Sequence, residues 1–254
     1  MSETTLTAAS GSEGYPHRCP ICGKVSQLPV SFFGDATCAH CGSLIWIHIP
    51  RDRRVLRVRQ ELLSVGASLG ICRWSRSWRI DLSGRPVSDS LIRQLADFEP
   101  ITEIELSGTR IEDGTVEVLV QALPDLEVLE LGNNPLTDAS LNSIAKLKRL
   151  ELLGMESTAI SDIGIAALAN LENLWGLDLE TMRITGRSLP SLASFPRLES
   201  LYLSHTRITD ETLSSLRSVR TLEDLWIFDT DVSRYGIRDL RLYLPDCRIH
   251  CFGA

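Results

Sequence analysis

The chain has 254 residues, 43% of them hydrophobic, with a formal net charge of −7 and a pI near 5.3. This balance excludes a general polyanion-binding surface, and the length suits one elongated domain plus a small one. No apolar run of about 18 residues occurs, so no membrane span is expected.

Residues 1–14 are Ser, Thr, Gly and Glu with almost nothing apolar, and are expected to be a disordered tail. They lack the basic start and apolar stretch of a secretory signal, so a cytoplasmic location is the expectation. Residues 15–50 hold two CxxC pairs, Cys19–Cys22 and Cys38–Cys41, with 15 residues between Cys22 and Cys38. Each CxxC turn aims two thiolates at one point, and two such turns complete a tetrahedral sulfur site. The glycines after Cys22 and Cys41 allow the tight turns. This segment resembles a small zinc ribbon, and rubredoxin-like iron sites share the geometry. The resemblance implies one structural Zn²⁺ on Cys19, Cys22, Cys38 and Cys41, with iron as the alternative. All four ligands are thiolates, so no position stays open for a catalytic water.

Residues 51–79 carry eight arginines (Arg51, Arg53, Arg54, Arg57, Arg59, Arg73, Arg76 and Arg79) against only Asp52 and Glu61. Val55, Val58, Leu62 and Val65 share one helical face, and Gly66 can end that helix. Residues 51–76 therefore read as a basic linker and N-terminal cap, with an edge strand near Leu69. The arginines serve either as a solvated cap face or as a patch for nucleic acid.

From Ser77 the sequence repeats. Copies begin at Ser77, Ile101, Leu126, Leu150, Leu174, Leu198 and Leu222, 24 residues apart except for one step of 25. Each opens with a strand pattern LxxLxL, as in Leu198, Leu201 and Leu203. Each continues with apolar residues three apart, such as Ile165, Leu168 and Leu171, which predict one face of a helix. The aspartate before that run (Asp138, Asp162, Asp210) is expected to cap the helix, with weaker caps where Gly186 and Arg234 replace it. A Thr or Asn between the halves (Thr109, Asn134, Thr158, Thr206, Thr230) can bond a tight turn. Such a period marks a solenoid of coupled neighbours, here seven copies and a closing half-repeat over residues 77–249, with 250–254 as a tail.

The run resembles leucine-rich repeats, of the ribonuclease-inhibitor-like and F-box-associated type found in bacterial, particularly planctomycete, proteins. The resemblance implies an α/β solenoid with parallel strands on a concave face and helices on the convex face. The fold class is then a leucine-rich repeat arc preceded by a rubredoxin-like ribbon.

Outward positions of the strands form columns. The middle column is Asp81, Glu105, Glu130, Gly154, Asp178, Tyr202 and Trp226; the one after it ends in Phe228. Acidic residues Glu105, Glu130 and Asp178 thus lead into Tyr202, Trp226 and Phe228, aromatics that the repeat itself does not require. Gly132, Gly154 and Gly176 are expected to open the middle of the face to a partner's backbone. These six side chains are the candidate partner site, and an unidentified protein is the expected partner. The alternative is a nucleic-acid-associated regulator using the ribbon and the arginines. Catalysis finds no constellation: His205 has no aspartate in sequence placed to orient it, and no Gly-rich phosphate loop appears. No small-molecule substrate is expected.

Overall fold

The structure is a computed structural model, and it describes residues 15–18, 23–28, 35–38, 40, 44–46, 53–71, 77–98 and 100–251. The N-terminal tail, Cys19, Cys22, Cys41, Arg51, Cys72, Arg73, Arg76 and residues 252–254 lie outside these. Backbone packing divides the chain into two units, with the boundary between Arg57 and Val58.

The first unit contains two antiparallel pairs. β1 (Tyr15–Arg18) pairs with β2 (Val25–Leu28), and β3 (Asp35–Thr37) with β4 (Leu44–Trp46). In sequence, one CxxC pair falls between the strands of each. Cys38 is buried, and its sulfur accepts the His40 N–H at 3.4 Å.

Helix α1 (Arg53–Ser64) spans the boundary. Its Val58 and Leu62 are buried. Gly66 ends it with φ +80°, a conformation a side chain would strain, while Ala67 N–H closes on the Leu62 carbonyl at 2.9 Å.

The second unit is built on one nine-stranded sheet in which neighbours follow chain order. β5 (Ser68–Ile71) runs antiparallel to β6 (Trp78–Asp81). All later pairs are parallel: β7 (Ile101–Glu105), β8 (Val128–Glu130), β9 (Leu152–Gly154), β10 (Gly176–Asp178), β11 (Ser200–Tyr202), β12 (Asp224–Trp226) and β13 (Arg248–His250). Inward residues stack copy on copy. Ile104, Leu129, Leu153, Leu177, Leu201 and Leu225 form one buried row of the core. Each such side chain stabilises the fold by roughly 1.5–3 kcal/mol on leaving water, but only when its neighbouring copies are in place.

The other half of each copy varies. α2 (Asp89–Leu95), α3 (Asp113–Ala122), α4 (Asp138–Ile144) and α7 (Arg234–Tyr243) are α-helices. α3, ten residues against seven in α2 and α4, lies in the copy with the extra residue. The middle copies depart from the helical expectation. Only single turns α5 (Asp162–Ile165) and α6 (Asp210–Leu213) are α-helical, and 3-10 turns follow at Ala166–Asn170 and Ser214–Ser218, with a third at Leu189–Ser194. Apolar residues three apart fit the three-residue turn of a 3-10 helix, but the same spacing after Asp138 lies on the α-helix α4, so spacing alone does not separate the two.

The capping expectation is corrected as well. The cap is the hydroxyl residue before the aspartate: Thr137, Ser161, Thr209 and Ser233 accept first-turn N–H groups. Even the helix beginning at Arg234 is well capped, since Ser233 accepts from both Tyr235 and Gly236. The aspartate carboxylate is used between copies. Asp138 accepts the Ser161 N–H and hydroxyl, both at 2.7 Å; Asp113 does the same for Thr137 and Asp210 for Ser233. Asp162 accepts four such bonds from Thr185 and Ser188. Burial opposes its ionisation, but these donors hold its carboxyl below the usual range.

Between strand and helix, Thr109, Thr158, Thr206 and Thr230 donate to the carbonyl three residues back. Asn134 bridges two copies, donating to Leu106 and Leu131 carbonyls and accepting the Ile111 N–H. The residue leaving the strand adopts φ of +49° to +67° in every copy, as Gly84 and Gly108 first and then Asn133, Ser157, Thr181, His205 and Asp229. A non-glycine residue there costs about 1–2 kcal/mol. Its N–H donates to the next copy, as His205 does to the Phe228 carbonyl at 2.8 Å, which holds it in place.

Candidate functional site

The register aligns the middle column without a break: Asp81, Glu105, Glu130, Gly154, Asp178, Tyr202 and Trp226, then His250. His250 was assigned to the tail by sequence reasoning. One more 24-residue step from Trp226 was the signal that could have found it. Tyr202 stacks on Trp226 with ring centroids 4.2 Å apart and planes 9° from parallel; Trp226 stacks on His250 at 4.4 Å and 10°. All three are half-buried. Both faces of the Trp226 indole are therefore taken, and what it offers outward is its edge.

Asp224, from the neighbouring column, anchors the end of this stack. It is 9% exposed and pairs with Arg248 and, at 3.1 Å, with His250 Nε2. Burial opposes its ionisation, but hydrogen bonds with His250 and Arg248 and the Arg248 charge hold its carboxyl below the ordinary range. Phe228 sits on the turn after β12, half-buried, where its N–H meets the Ser204 hydroxyl at 3.3 Å. The aromatic centre of the face is thus Tyr202, Trp226 and His250, with Phe228 at its margin.

Three acids of the column turn back on their own strand ends. Asp81 accepts the Ser83 N–H, Glu105 the Ser107 N–H at 3.1 Å and Asp178 the Glu180 N–H at 2.8 Å. The bonds from Ser83 lower the Asp81 pKa. Glu130 does otherwise. Its carboxylate occupies the space that a Cβ at Gly154 would fill, and the Glu156 carboxylate covers Gly132 in the same way. The expectation that these glycines open the backbone to a partner is therefore wrong: longer acidic side chains roof them. Gly176 lies against Leu152.

Crowding acids on a half-buried face has a cost. Burial, then Glu105, Glu156 and Asp178, push the Glu130 carboxyl up to about 8, with Arg79 opposing weakly. Burial first, then Glu180 and Glu156, raise Asp178 to about 6. Glu156 is raised mainly by burial. The Tyr202 hydroxyl is raised by burial and by Asp178 beside it.

Outside the sheet face, His205 does meet an acid: its Nδ1 lies 3.1 Å from Asp229 Oδ2 across copies. The aligned turns bring them together, which spacing within one copy does not reveal. Ser204, next to it, is buried with its hydroxyl receiving the Phe228 N–H, so it is not presented to this pair. Cys247 is buried and its thiol is pushed up to about 11, as suits a small apolar filler. No described helix is long and apolar enough to cross a membrane.

The decisive comparison concerns one copy. A family model described as Leucine Rich Repeat matches residues 197–219, the segment containing β11 and α6. That copy matches a leucine-rich repeat, and the others share its period and strand register. No curated protein matches the chain in sequence. Among solved structures, internalin C2 of Listeria monocytogenes is similar at 26% identity and TM-score 0.54, over 67% of this chain and 69% of that one. A leucine-rich repeat protein of Leptospira interrogans (18% identity, TM-score 0.49) and another Listeria monocytogenes internalin (18%, 0.44) align over 65% and 66% of this chain. This chain spans 51% of each of those two. The second unit is thus an α/β solenoid with a parallel sheet.

Proposed function

We propose that this chain is a non-catalytic protein-binding module whose partner docks on the open face of the leucine-rich repeat sheet. The observation that carries it is the ring stack Tyr202–Trp226–His250, half-exposed in a column where earlier copies carry acids or glycine. Rigid aromatic anchors beside a polar rim are what interface centres use. Glu105, Glu130 and Asp178 form the rim on one side, and Phe228 the margin on the other.

The test is capture of a partner from native extract with three forms: wild type, Trp226→Ala and Tyr235→Ala. Tyr235 stands 81% exposed on α7, on the helical side. The proposal expects capture to be lost with Trp226→Ala alone. A partner lost only with Tyr235→Ala would place the site on the helices.

We also propose one structural Zn²⁺ on Cys19, Cys22, Cys38 and Cys41. Each CxxC falls between two strands of an antiparallel pair, and the His40 N–H to Cys38 sulfur bond is the kind that steadies a metal-bound thiolate. The donor set is four soft thiolates, which suits zinc.

A further inference from the structure

The sheet face divides by chemistry, and its acidic half lacks a counterpart. From β8 to β11, the outward strand columns contain Glu130, Glu156, Asp178 and Glu180 and no lysine or arginine. Arg79, at the far end, lies 3.8 Å from Glu103. Among the described residues, no three acids, histidines or cysteines converge to hold a metal ion. The acids instead come from successive strands, about 4.8 Å apart, with the Glu130 and Glu156 carboxylates reaching across to the neighbouring copy. One ion cannot satisfy such a row; a chain of cations can. The ring stack adds a second constraint. With its faces covered, Trp226 cannot seat a cation over its ring, so charge recognition falls to the acids and the ring edges pack beside them.

Resting on the sheet-face reading above, we infer that the docking element is an extended, lysine- or arginine-bearing segment of a partner protein, laid across β8 to β12. Two cationic side chains would engage Glu130 and Asp178, and the following residues would pack on the edges of Tyr202 and Trp226. Glu130 and Asp178 stand two strands apart, but the Glu130 carboxylate reaches over Gly154 on β9, so its gap to Asp178 on β10 is about one strand spacing, roughly 5 Å. An extended segment advances about 3.3 Å per residue, so cations two residues apart, on one side of the segment, span that gap. Nucleic acid is repelled by the same acids.

Binding is linked to protons. Glu130 faces Glu105 on β7, Glu156 after β9, Asp178 on β10 and Arg79 on β6; Asp178 faces Glu156, Glu180 and the Tyr202 hydroxyl. A cation binds their ionised forms, so affinity rises with pH through about 6 and about 8, and protons are released.

The probe is a blocked hexapeptide of alternating serine and lysine, titrated calorimetrically into the full chain, beside its glutamate counterpart and spermine. The Glu130→Gln/Asp178→Asn form should weaken the lysine peptide about tenfold or more and abolish proton release. Glu117→Gln/Glu211→Gln removes two acids from the helical side and should change nothing. Circular dichroism checks folding. Absent binding, equal binding of the glutamate peptide, equal loss in the helical-side form, or spermine binding as tightly as the peptide would each overturn the inference. The two readings separate in partner capture. If Trp226→Ala loses the partner and Glu130→Gln/Asp178→Asn retains it, the sheet-face reading stands and the basic segment falls.

Discussion

Replacing Glu130 by Gln should stabilise the protein, by an amount that grows as pH rises from about 5 to about 8. In the unfolded chain this carboxyl ionises near 4.5; in the fold it does so near 8. Between those values the native state holds a proton that the unfolded state has lost. Stability therefore falls as pH rises through this window and levels off above it. A difference of about 3.5 units corresponds to roughly 4.8 kcal/mol at about 1.36 kcal/mol per unit. Glu130 is only half-buried, and solvent screening brings the net effect to about 2 kcal/mol. Glutamine keeps the shape of the protonated acid and removes this penalty. For a domain of this size about 2 kcal/mol is roughly 4–8 °C in Tm. Thermal unfolding followed by circular dichroism at pH 5, 7 and 8.5 checks it. The two proteins should melt together at pH 5 and separate progressively, the variant being higher. A variant less stable at every pH, or an offset independent of pH, would refute the view that crowded carboxylates strain this face.

Three further outcomes are expected. Leu201→Ala, which empties a buried position between Leu177 and Leu225, should cost about 2–5 kcal/mol in denaturant unfolding. Asp138→Ala removes the acceptor of two bonds from Ser161 and should cost about 1–2 kcal/mol, with amide exchange accelerated at the α4–α5 junction. Elemental analysis of the purified chain should find about one zinc, and Cys38→Ala should abolish it while the repeat unit keeps its melting transition, because that unit has its own core.

The repeat, its strands and its outward columns were legible because leucine spacing fixes which side chains point inward, and one step of 24 fixes which meet across strands. What was not legible depends on contacts between copies. Asp138 reads as a helix cap within its own copy, yet it binds the hydroxyl residue of the next. The alignment of His205 with Asp229 is likewise invisible within one copy. Gly132 and Gly154 read as openings, since no spacing rule shows that Glu156 and Glu130 fold over them. His250 was cut off because the closing half-repeat keeps the register while losing the leucine pattern before it. The 3-10 turns after Asp162 and Asp210 were not legible, because the same steps of three after Asp138 form the α-helix α4.

The central claim, that the partner lies across the sheet face at the ring stack, is tested most directly by hydroxyl-radical footprinting of the chain alone and with its captured partner. Tyr202 and Trp226 should become protected while Tyr235 on α7 keeps its full reactivity. Protection of Tyr235 with Tyr202 and Trp226 unchanged would contradict the account.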